Sequence, residues 1–418
     1  MQVKAEIIHF EAKESHSPRY LAAKEICRVL QNKGFQAYIV GGYVRQFFLC
    51  DEDSSHSCDI DISTSAHGMD IKKVFKNSVC VNEKLFVYLI EMSGFKFELT
   101  SFRTESTYKD GRRPSHVEHG SMEEDSLRRD FTINAMYFDP TTNLIYDFHK
   151  GIADVKNNLL RCVGNPSERF NEDYLRIIRL FRFSINLNFQ IEKETLNAAI
   201  KNKSKILDIS KERILIEIQK ISKSKVFTFF KTLQKELNFF KLFFQIEFIE
   251  DKTQPFSFCY DEMLRNYPCL GMFFVIFLQT DEGIYLNREL QKNLLLWPIK
   301  REEKRLLTFT QNILKTFLKK EKLSKTELDF NIFTAIYKTE TSLLNIDTVI
   351  NILIEKFKID TFTPKKIKKI RTSKMTLKEY IHLNLPKETL EERKHVSLLE
   401  NKSKANYYLQ KYYRDFKD

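Results

Sequence analysis

The chain is poor in the features that mark several classes of protein. Among 418 residues there are 11 glycines, 9 prolines and one tryptophan, and we find no internal repeat or low-complexity segment, which argues against collagen-like and linker-type chains. The seven cysteines are scattered and form no CxxC pair, so neither a disulfide framework nor a zinc ribbon is expected. The longest apolar run, at residues 270–278 (LGMFFVIFL), is too short to cross a bilayer and predicts a buried helix.

Acidic residues are fewer than basic residues, which indicates what kind of binding partner the protein has. The chain has 56 Asp and Glu against 68 Lys and Arg, a formal net charge of +12. This balance favours a polyanionic partner, either nucleic acid or an anionic membrane surface, and leaves the two open. Charged residues interrupt the N-terminus where a signal peptide needs an apolar core. We therefore expect a soluble, cytoplasmic protein with no membrane partner.

The chain has three zones that differ in texture. Residues 1–160 mix short strand-like runs with turns, residues 161–222 predict helices dense in charge, and residues 223–418 have long helical periodicity. A length of 418 residues suggests about three domains. Hydrophobic residues make up 42% of the chain, enough for a substantial core.

A short apolar strand followed by two glycines is the first candidate site. Residues 37–40 (AYIV) lead directly into Gly41 and Gly42, and the next residues suit a helix. Glycines let the backbone approach a phosphate, and a helix N-terminus favours anions. Arg45 would lie one turn further along the helix, within reach of a phosphate. Alone, two adjacent glycines are more typical of an ordinary tight turn than of a phosphate site.

Two aspartates in an alternating segment form the second candidate site. Residues 58–62 (CDIDI) have the period of a strand, which places Asp59 and Asp61 on one face. Adjacent carboxylates repel, and two Mg²⁺ ions about 3.5–4 Å apart are the usual resolution in phosphoryl transfer. Residues 95–100 (FKFELT) also alternate, so Glu98 would supply a third carboxylate if the two strands are neighbours. Solvated aspartates on an exposed strand are the alternative for an isolated DxD pair.

Five motifs together make the sequence recognisable. They are VGGYVR, DIDIST, SLRRDFTINAMYFD, RFNEDYLRIIRLFRF and ISKERILIEI, in that order, within residues 35–220. This series resembles the class II tRNA nucleotidyltransferase and bacterial poly(A) polymerase family. The resemblance implies an α+β fold: a small mixed-sheet nucleotidyltransferase head (residues 1–160), then an all-helical neck (161–222), body and tail (223–418). The neck would recognise bases and bind RNA, and the body and tail would bind tRNA.

The resemblance also implies roles for individual residues. Asp59 and Asp61 would hold two Mg²⁺ ions, with Glu98 as a further catalytic carboxylate. The expected nucleotide contacts are Gly42, Arg45, Arg129, Asp173, Arg176, Arg179 and Arg182, with Asp130 and Asn134 supporting the sugar or the loop. Asp173 would accept a hydrogen bond from the exocyclic amine that C and A share, whereas U and G present a carbonyl there and would be rejected. A charged solvent-facing helix is the alternative for these neck residues.

Gln46 stands where the family usually has Asp, a departure that bears on the structure of the helix or loop. The choice between CCA addition and poly(A) synthesis rests on a missing signature and on one loop. The basic signature of the poly(A) polymerases is absent between the first two motifs. Residues 108–117 (YKDGRRPSHV) resemble the flexible loop of enzymes that add A after C. We expect addition of C, C and A from CTP and ATP to the 3′ end of tRNA.

Several alternatives remain open at this point. Within the same chemistry they are an A-adding or CC-adding enzyme or a poly(A) polymerase. From other classes they are an inactive RNA-binding module and a transferase acting on small molecules or proteins. Residues 363–374, with six basic residues and no acid, either contact tRNA phosphates or form a solvated lysine-rich helix. The oligomeric state is open.

Overall fold

A computed structural model describes part of the chain. The described residues are 5–10, 17–49, 59–108, 111, 114–222, 225–245, 268, 272, 293–294, 296–304, 307–308 and 310. The chain divides into two compact units, Met1–Ile246 and Glu247–Asp418. The predicted basic segment at 363–374 and nearly all of the predicted helix at 270–278 lie outside the described residues. The boundaries of the three predicted domains stay predictions.

A mixed sheet forms the centre of the first unit. The strands are β1 (Glu6–His9), β2 (Ala37–Val40), β3 (Asp61–Thr64), β4 (Val79–Asn82), β5 (Val87–Met92), β6 (Phe95–Ser101), β7 (Arg103–Tyr108), β8 (Pro114–His119), β9 (Met136–Asp139), β10 (Leu144–Asp147), β11 (Leu159–Leu160) and β12 (Gln190–Ile191). Eight of them pair in the order β1-β10-β9-β2-β3-β6-β5-β4. In this sheet β3 and β6 run parallel, whereas the other adjacent pairs are antiparallel.

Helices flank this sheet and continue after it. They are α1 (Pro18–Gln31), α2 (Gly42–Gln46), α3 (Gly68–Val74), α4 (Met122–Leu127), α5 (Gly151–Lys156), α6 (Pro166–Glu172), α7 (Leu175–Leu187), α8 (Lys193–Lys201), α9 (Lys211–Gln219), α10 (Val226–Leu237) and α11 (Phe239–Phe244). The predicted α+β class, a mixed-sheet head followed by helices, is confirmed. None of the helices in the described part combines the length and apolarity that a bilayer crossing requires.

The turn between β2 and α2 forms as predicted. All four residues of β2 are buried, as expected of a strand inside a sheet. The strand ends at Gly41, whose φ of 76° lies in the left-handed region that favours glycine. The helix that follows is short and ends at Gln46, which is half-buried.

The strand that carries the aspartates begins later than predicted. We expected it to begin at Cys58, but β3 begins at Asp61, so Asp59 precedes the strand and Cys58 lies outside the described residues. The cause is its partner: β3 pairs with β2 up to the pair Val40–Asp61, and at Gly41 the backbone turns out of the ladder. Alternation of burial nevertheless continues through Asp59, since Ile60 and Ile62 are buried and the two aspartates are exposed.

The predicted strand at FKFELT is confirmed and has the expected faces. It is β6, in which Phe97 and Leu99 are buried whereas Glu98 is exposed. The parallel register of β3 and β6 places Asp61 opposite Glu98. The condition for a third carboxylate beside the aspartates is therefore met.

The motif RFNEDYLRIIRLFRF spans two helices of the neck segment. Helix α6 ends at Glu172 and α7 begins at Leu175. Between them Asp173 is extended, with φ −144° and ψ 105°, and its Oδ1 accepts a hydrogen bond from the backbone N–H of Leu175 at 3.1 Å. Aspartate competes for backbone donors in this way, which favours a helix start over a helix interior. The side chain of Asp173 therefore projects from a joint between helices.

In the segment that resembles a flexible loop, the described residues 108 and 114–117 belong to the two strands of a β-hairpin. Strand β7 pairs with β8 in antiparallel register from Arg103–His119 to Tyr108–Pro114. At its tip, the carbonyl of Gly111 accepts a hydrogen bond from the backbone N–H of Tyr174 at 3.1 Å. The hairpin thus contacts the joint that carries Asp173.

Candidate functional site

A cavity of about 390 Å³ in the first unit brings most of the predicted site residues together. Its lining is Gly41, Gly42, Arg45, Asp61, Arg128, Arg129, Asp130, Asn134, Asp173, Arg176, Arg179, Arg182 and Phe183. All seven residues predicted to contact the nucleotide are among them. Of the predicted metal and catalytic carboxylates, Asp61 lines the cavity, whereas Asp59 and Glu98 do not. Six arginines against three aspartates give the lining a positive excess, which suits a polyanionic ligand.

Asp61 is the predicted metal-binding carboxylate that lines this cavity, and Glu98 lies opposite it on the neighbouring strand. Asp61 is accessible to solvent, but the enclosing protein, together with the negative charges of Glu98 and Asp59, raises its pKa to about 6. A carboxylate whose pKa is raised by burial and by neighbouring negative charges is one that a bound cation would stabilise in its ionised form. The donor set of Asp61, Glu98 and Asp59 consists of the carboxylate oxygens that Mg²⁺ prefers.

The three carboxylates do not all converge on one point. Within the described residues, no three His, Cys, Asp or Glu side chains converge closely enough to hold a metal ion. One reason is that Asp59 points to helix α1, where its Oδ1 accepts a hydrogen bond from Arg19 Nη2 at 2.9 Å. Metal binding by both aspartates would therefore require Asp59 to leave Arg19 or to share its oxygens.

The arginine of the first motif is buried beside the cavity. Arg45 donates a hydrogen bond to Asn134 Oδ1, and its guanidinium lies 5.3 Å from the centre of the Phe183 ring. Asn134 in turn donates to Asp130 Oδ1 at 3.1 Å. These contacts fix the guanidinium next to Gly42, where a Cβ atom would lie 3.5 Å from Arg45 Nη2.

The second arginine of the RRD motif is held by a buried carboxylate. Asp125 is fully buried, and its oxygens accept hydrogen bonds from Arg129 Nη2 (3.0 Å), Arg128 Nη2 (2.7 Å) and the Tyr137 hydroxyl (2.6 Å). Arg129 also donates to Ser63 Oγ on β3 at 3.1 Å. Burial alone would raise the pKa of Asp125, but the two guanidiniums and the Tyr137 hydrogen bond outweigh it and hold this pKa well below its usual range. Asp125 and Ser63 therefore hold the Arg129 side chain in position where it lines the cavity.

Asp173 and Arg176 lie together at the joint of the neck helices. Arg213 Nη2 donates to both oxygens of Asp173, at 3.1 and 2.8 Å. Arg176 donates to Glu172 (2.6 Å) and to the carbonyls of Arg169 (3.1 Å) and Arg128 (2.6 Å). These bonds use three of the five N–H donors of the guanidinium. The two predicted base readers thus have fixed positions and keep hydrogen-bonding capacity.

Arg179 and Arg182 belong to a buried ionic network. Arg179 donates through Nε and Nη2 to Asp130 Oδ2, at 2.9 and 2.6 Å, and Arg182 donates to Glu217 Oε2 at 2.6 Å. Burial acts to raise the pKa of Asp130, but Arg179 outweighs it and the pKa falls to about 2. The guanidinium of Arg182 lies 4.0 Å from the centre of the Phe183 ring, within cation–π range. Both arginines line the cavity while paired with protein carboxylates.

Several residues of the site were missed by sequence reasoning. Arg128 and Phe183 line the cavity, and Asp125 and Glu217 hold arginines that line it. For Asp125 a signal exists, because it precedes Arg128 and Arg129 by three and four residues, the spacing of ion pairs on a helix. Glu217 had no such signal, since its partner Arg182 is 35 residues away in the chain.

Comparison with known proteins confirms the resemblance over two stretches of the chain. Residues 37–161 match the family model of the poly A polymerase head domain. Residues 188–244 match the model described as the probable RNA and SrmB-binding site of polymerase A. The chain is 44% identical over 200 residues to the CCA-adding enzyme of Enterococcus faecalis, covering 48% of each chain. It is 42% identical over 200 residues to that of Staphylococcus epidermidis, covering 48% of this chain and 49% of the relative.

Solved structures show the same fold over a greater length. The CCA-adding enzyme of Bacillus stearothermophilus in complex with CTP aligns with a TM-score of 0.59 and 22% identity, covering 96% of this chain and 98% of that one. A CCA-adding enzyme with ATP aligns with a TM-score of 0.62 and 18% identity, covering 92% and 91%. In sequence, the chain spans about half the length of the curated relatives it matches.

Proposed function

We propose that this protein adds C, C and A to the 3′ end of tRNA from CTP and ATP, without a nucleic-acid template and with release of pyrophosphate. The observation that carries the proposal is the arginine-lined cavity, in which Gly42, Asp61, Arg129, Asp173 and Arg176 all face one space. The relatives named as CCA-adding enzymes, at 42–44% identity over 200 residues, support it.

The triphosphate would occupy the part of the cavity that the arginines surround. The GG turn lets the backbone approach closely, and Arg45 and Arg129 are already fixed in position by Asn134 and Asp125. Because these guanidiniums are oriented before a ligand binds, little rotamer freedom is lost on binding. They would bind the phosphates and leave the base free to reach the neck.

The metal site would be formed by Asp59 and Asp61, with Glu98 beside them. Two Mg²⁺ ions, when bound, would lower the pKa of the RNA 3′ hydroxyl and neutralise the leaving pyrophosphate. The register that sets Asp61 opposite Glu98 and the raised pKa of Asp61 both support a cation site here. The identity of the metal rests on the oxygen-only donor set, which suits Mg²⁺ or Mn²⁺.

Base selection would rest on Asp173 and Arg176. The carboxylate accepts a hydrogen bond from the exocyclic amine of C or A, and the guanidinium donates to the neighbouring ring nitrogen or carbonyl. U and G would place a carbonyl against the carboxylate and leave two acceptors facing each other without a proton. The amino acids thus take the part that a template strand plays in other polymerases.

The decisive experiment supplies the purified protein with tRNAs that end before CCA, after C and after CC, and with a generic RNA. Incorporation of CTP and ATP is followed on each. We expect two C and one A on the first, one C and one A on the second, and one A on the third, with little on generic RNA. Addition limited to A or to C would identify a specialist, long A tracts on generic RNA a poly(A) polymerase, and no incorporation would refute the proposal.

A further inference from the structure

Helix α9 carries the ISKERILIEI motif, which the proposed function leaves without a role. Arg213 and Glu217 are four residues apart on this helix and so share a face. Arg213 contacts Asp173, and Glu217 contacts Arg182 at 2.6 Å and Arg179 at 3.5 Å. One face of α9 therefore holds three of the residues predicted to contact the nucleotide.

The contact with Arg213 sets the geometry of the Asp173 carboxylate. Asp173 is not inside a helix, so helical packing does not fix its side chain. Its oxygens instead receive the Leu175 N–H at 3.1 Å and Arg213 Nη2 at 3.1 and 2.8 Å. An ionised carboxylate has about four acceptor positions, so these contacts orient the group and leave capacity for another donor.

We propose that Arg213 is a positioning residue for base selection. By holding the Asp173 carboxylate in one orientation, it directs the remaining acceptor position to the exocyclic amine of C or A. This inference rests on the proposed function. Without Arg213 the carboxylate can rotate and bind water, and a hydrated carboxylate discriminates poorly between an amine and a carbonyl.

Loss of Arg213 should affect selectivity more than folding. The side chains of Arg213 and Asp173 are 21% and 22% exposed, so both can be solvated when the pair is broken. The fully enclosed pair of Arg182 and Glu217, with side chains only 8% and 3% exposed, differs in this respect. Arg213 is therefore the residue of α9 at which selectivity can be tested with the fold preserved.

The test compares Arg213→Gln and Arg213→Lys with the wild type and with Arg161→Gln. Arg161 is a matched control, because it pairs with Asp154 and Glu192 and does not line the cavity. The assay measures kcat/KM for CTP and for UTP on tRNA ending before CCA, and the Tm of each variant.

We expect Arg213→Gln to lower the CTP/UTP selectivity ratio roughly tenfold, the effect of one weakened charge-assisted hydrogen bond, at an unchanged Tm. Arg213→Lys should restore part of the ratio, and Arg161→Gln should keep all of it. In an Asp173→Asn background, Arg213→Gln should cause little further loss. The inference is overturned if the ratio stays within twofold of wild type, or if CTP and UTP lose efficiency equally. A wild type that incorporates neither nucleotide refutes the proposed function itself, and this inference with it.

Discussion

Replacing Asp125 with Asn removes the negative charge to which two arginines of the cavity are anchored. The carboxylate is fully buried and accepts from Arg128, Arg129 and Tyr137. An amide of the same shape keeps one oxygen but turns its NH₂ group towards donors. Removing one partner of a buried ionic group costs about 3–5 kcal/mol, because the partner charges stay without compensation. Arg128 and Arg129 retain 17% and 14% exposure of their side chains, which favours the lower end, about 3 kcal/mol.

This loss should be measurable as a shift in unfolding. For a unit of this size, each kcal/mol lowers the Tm by about 2–4 °C, so we expect a decrease of roughly 6–12 °C at pH 7. Urea unfolding should show a lower midpoint. Glu25→Gln is the control, since Glu25 also pairs with an arginine three residues away, but on the exposed surface of α1. Its Tm should equal that of the wild type within error.

The pH dependence supplies a second, independent criterion. Because the pKa of Asp125 is held below its unfolded value near 4, its contribution to the free energy of unfolding is complete above pH 4 and declines as the pH falls further. The difference between wild type and Asp125→Asn should therefore be constant from pH 7 to pH 5 and smaller at pH 3.5. A loss below about 1 kcal/mol at pH 7, or a difference that does not shrink in acid, would refute the reasoning.

Three further predictions concern the carboxylates and their surroundings. Asp61→Asn should abolish CTP incorporation while leaving tRNA affinity nearly unchanged in a filter-binding assay, and turnover near the wild-type rate would contradict the metal assignment. The pKa of Asp61 is about 6, and metal ligands must be deprotonated. The Mn²⁺ affinity, measured by electron paramagnetic resonance, should therefore fall roughly tenfold per pH unit below pH 6. An affinity that is constant from pH 7 to pH 5 would argue against Asp61 as a metal ligand. Arg19 pairs with Asp59 and so competes with a metal ion for that carboxylate. Arg19→Gln should therefore tighten Mn²⁺ binding about threefold to tenfold, whereas the control Arg28→Gln on the same helix should leave it unchanged. Weaker Mn²⁺ binding by Arg19→Gln would show that Arg19 assists the metal site instead.

The sequence allowed prediction of the parts of the site that depend on local pattern. The strand before Gly41, the turn at that residue and the alternating strand around Glu98 all form where expected. The adjacency of Asp61 and Glu98 could be stated only as a condition, because strand pairing is a long-range choice. The register of β3 and β6 meets that condition.

What the sequence did not predict depended on partners far along the chain or, at Asp173, on a single hydrogen bond between a side chain and the backbone. The first residue of β3 is set by the point at which its partner β2 ends. The periodicity of residues 58–62 contains no information about that partner. The break at Asp173 was invisible because apolar spacing continues across it, whereas the cause is one side chain bonded to the backbone of Leu175. Glu217 reads as an ordinary helix-surface residue, yet it is 3% exposed and lies against Arg182.

The parallel pairing of β3 with β6 links correct folding to correct placement of the carboxylates. If β6 slipped by one residue, Phe97 or Leu99 would take the position of Glu98 opposite Asp61, and every side chain of the strand would change faces. The buried phenylalanine and leucine would then be exposed and Glu98 enclosed, a state too unfavourable to persist. A correctly folded molecule therefore has Asp61 and Glu98 opposite each other. Burial of Phe97 and Leu99 in the core thus fixes the register that aligns Glu98 with Asp61, although neither apolar residue lines the cavity.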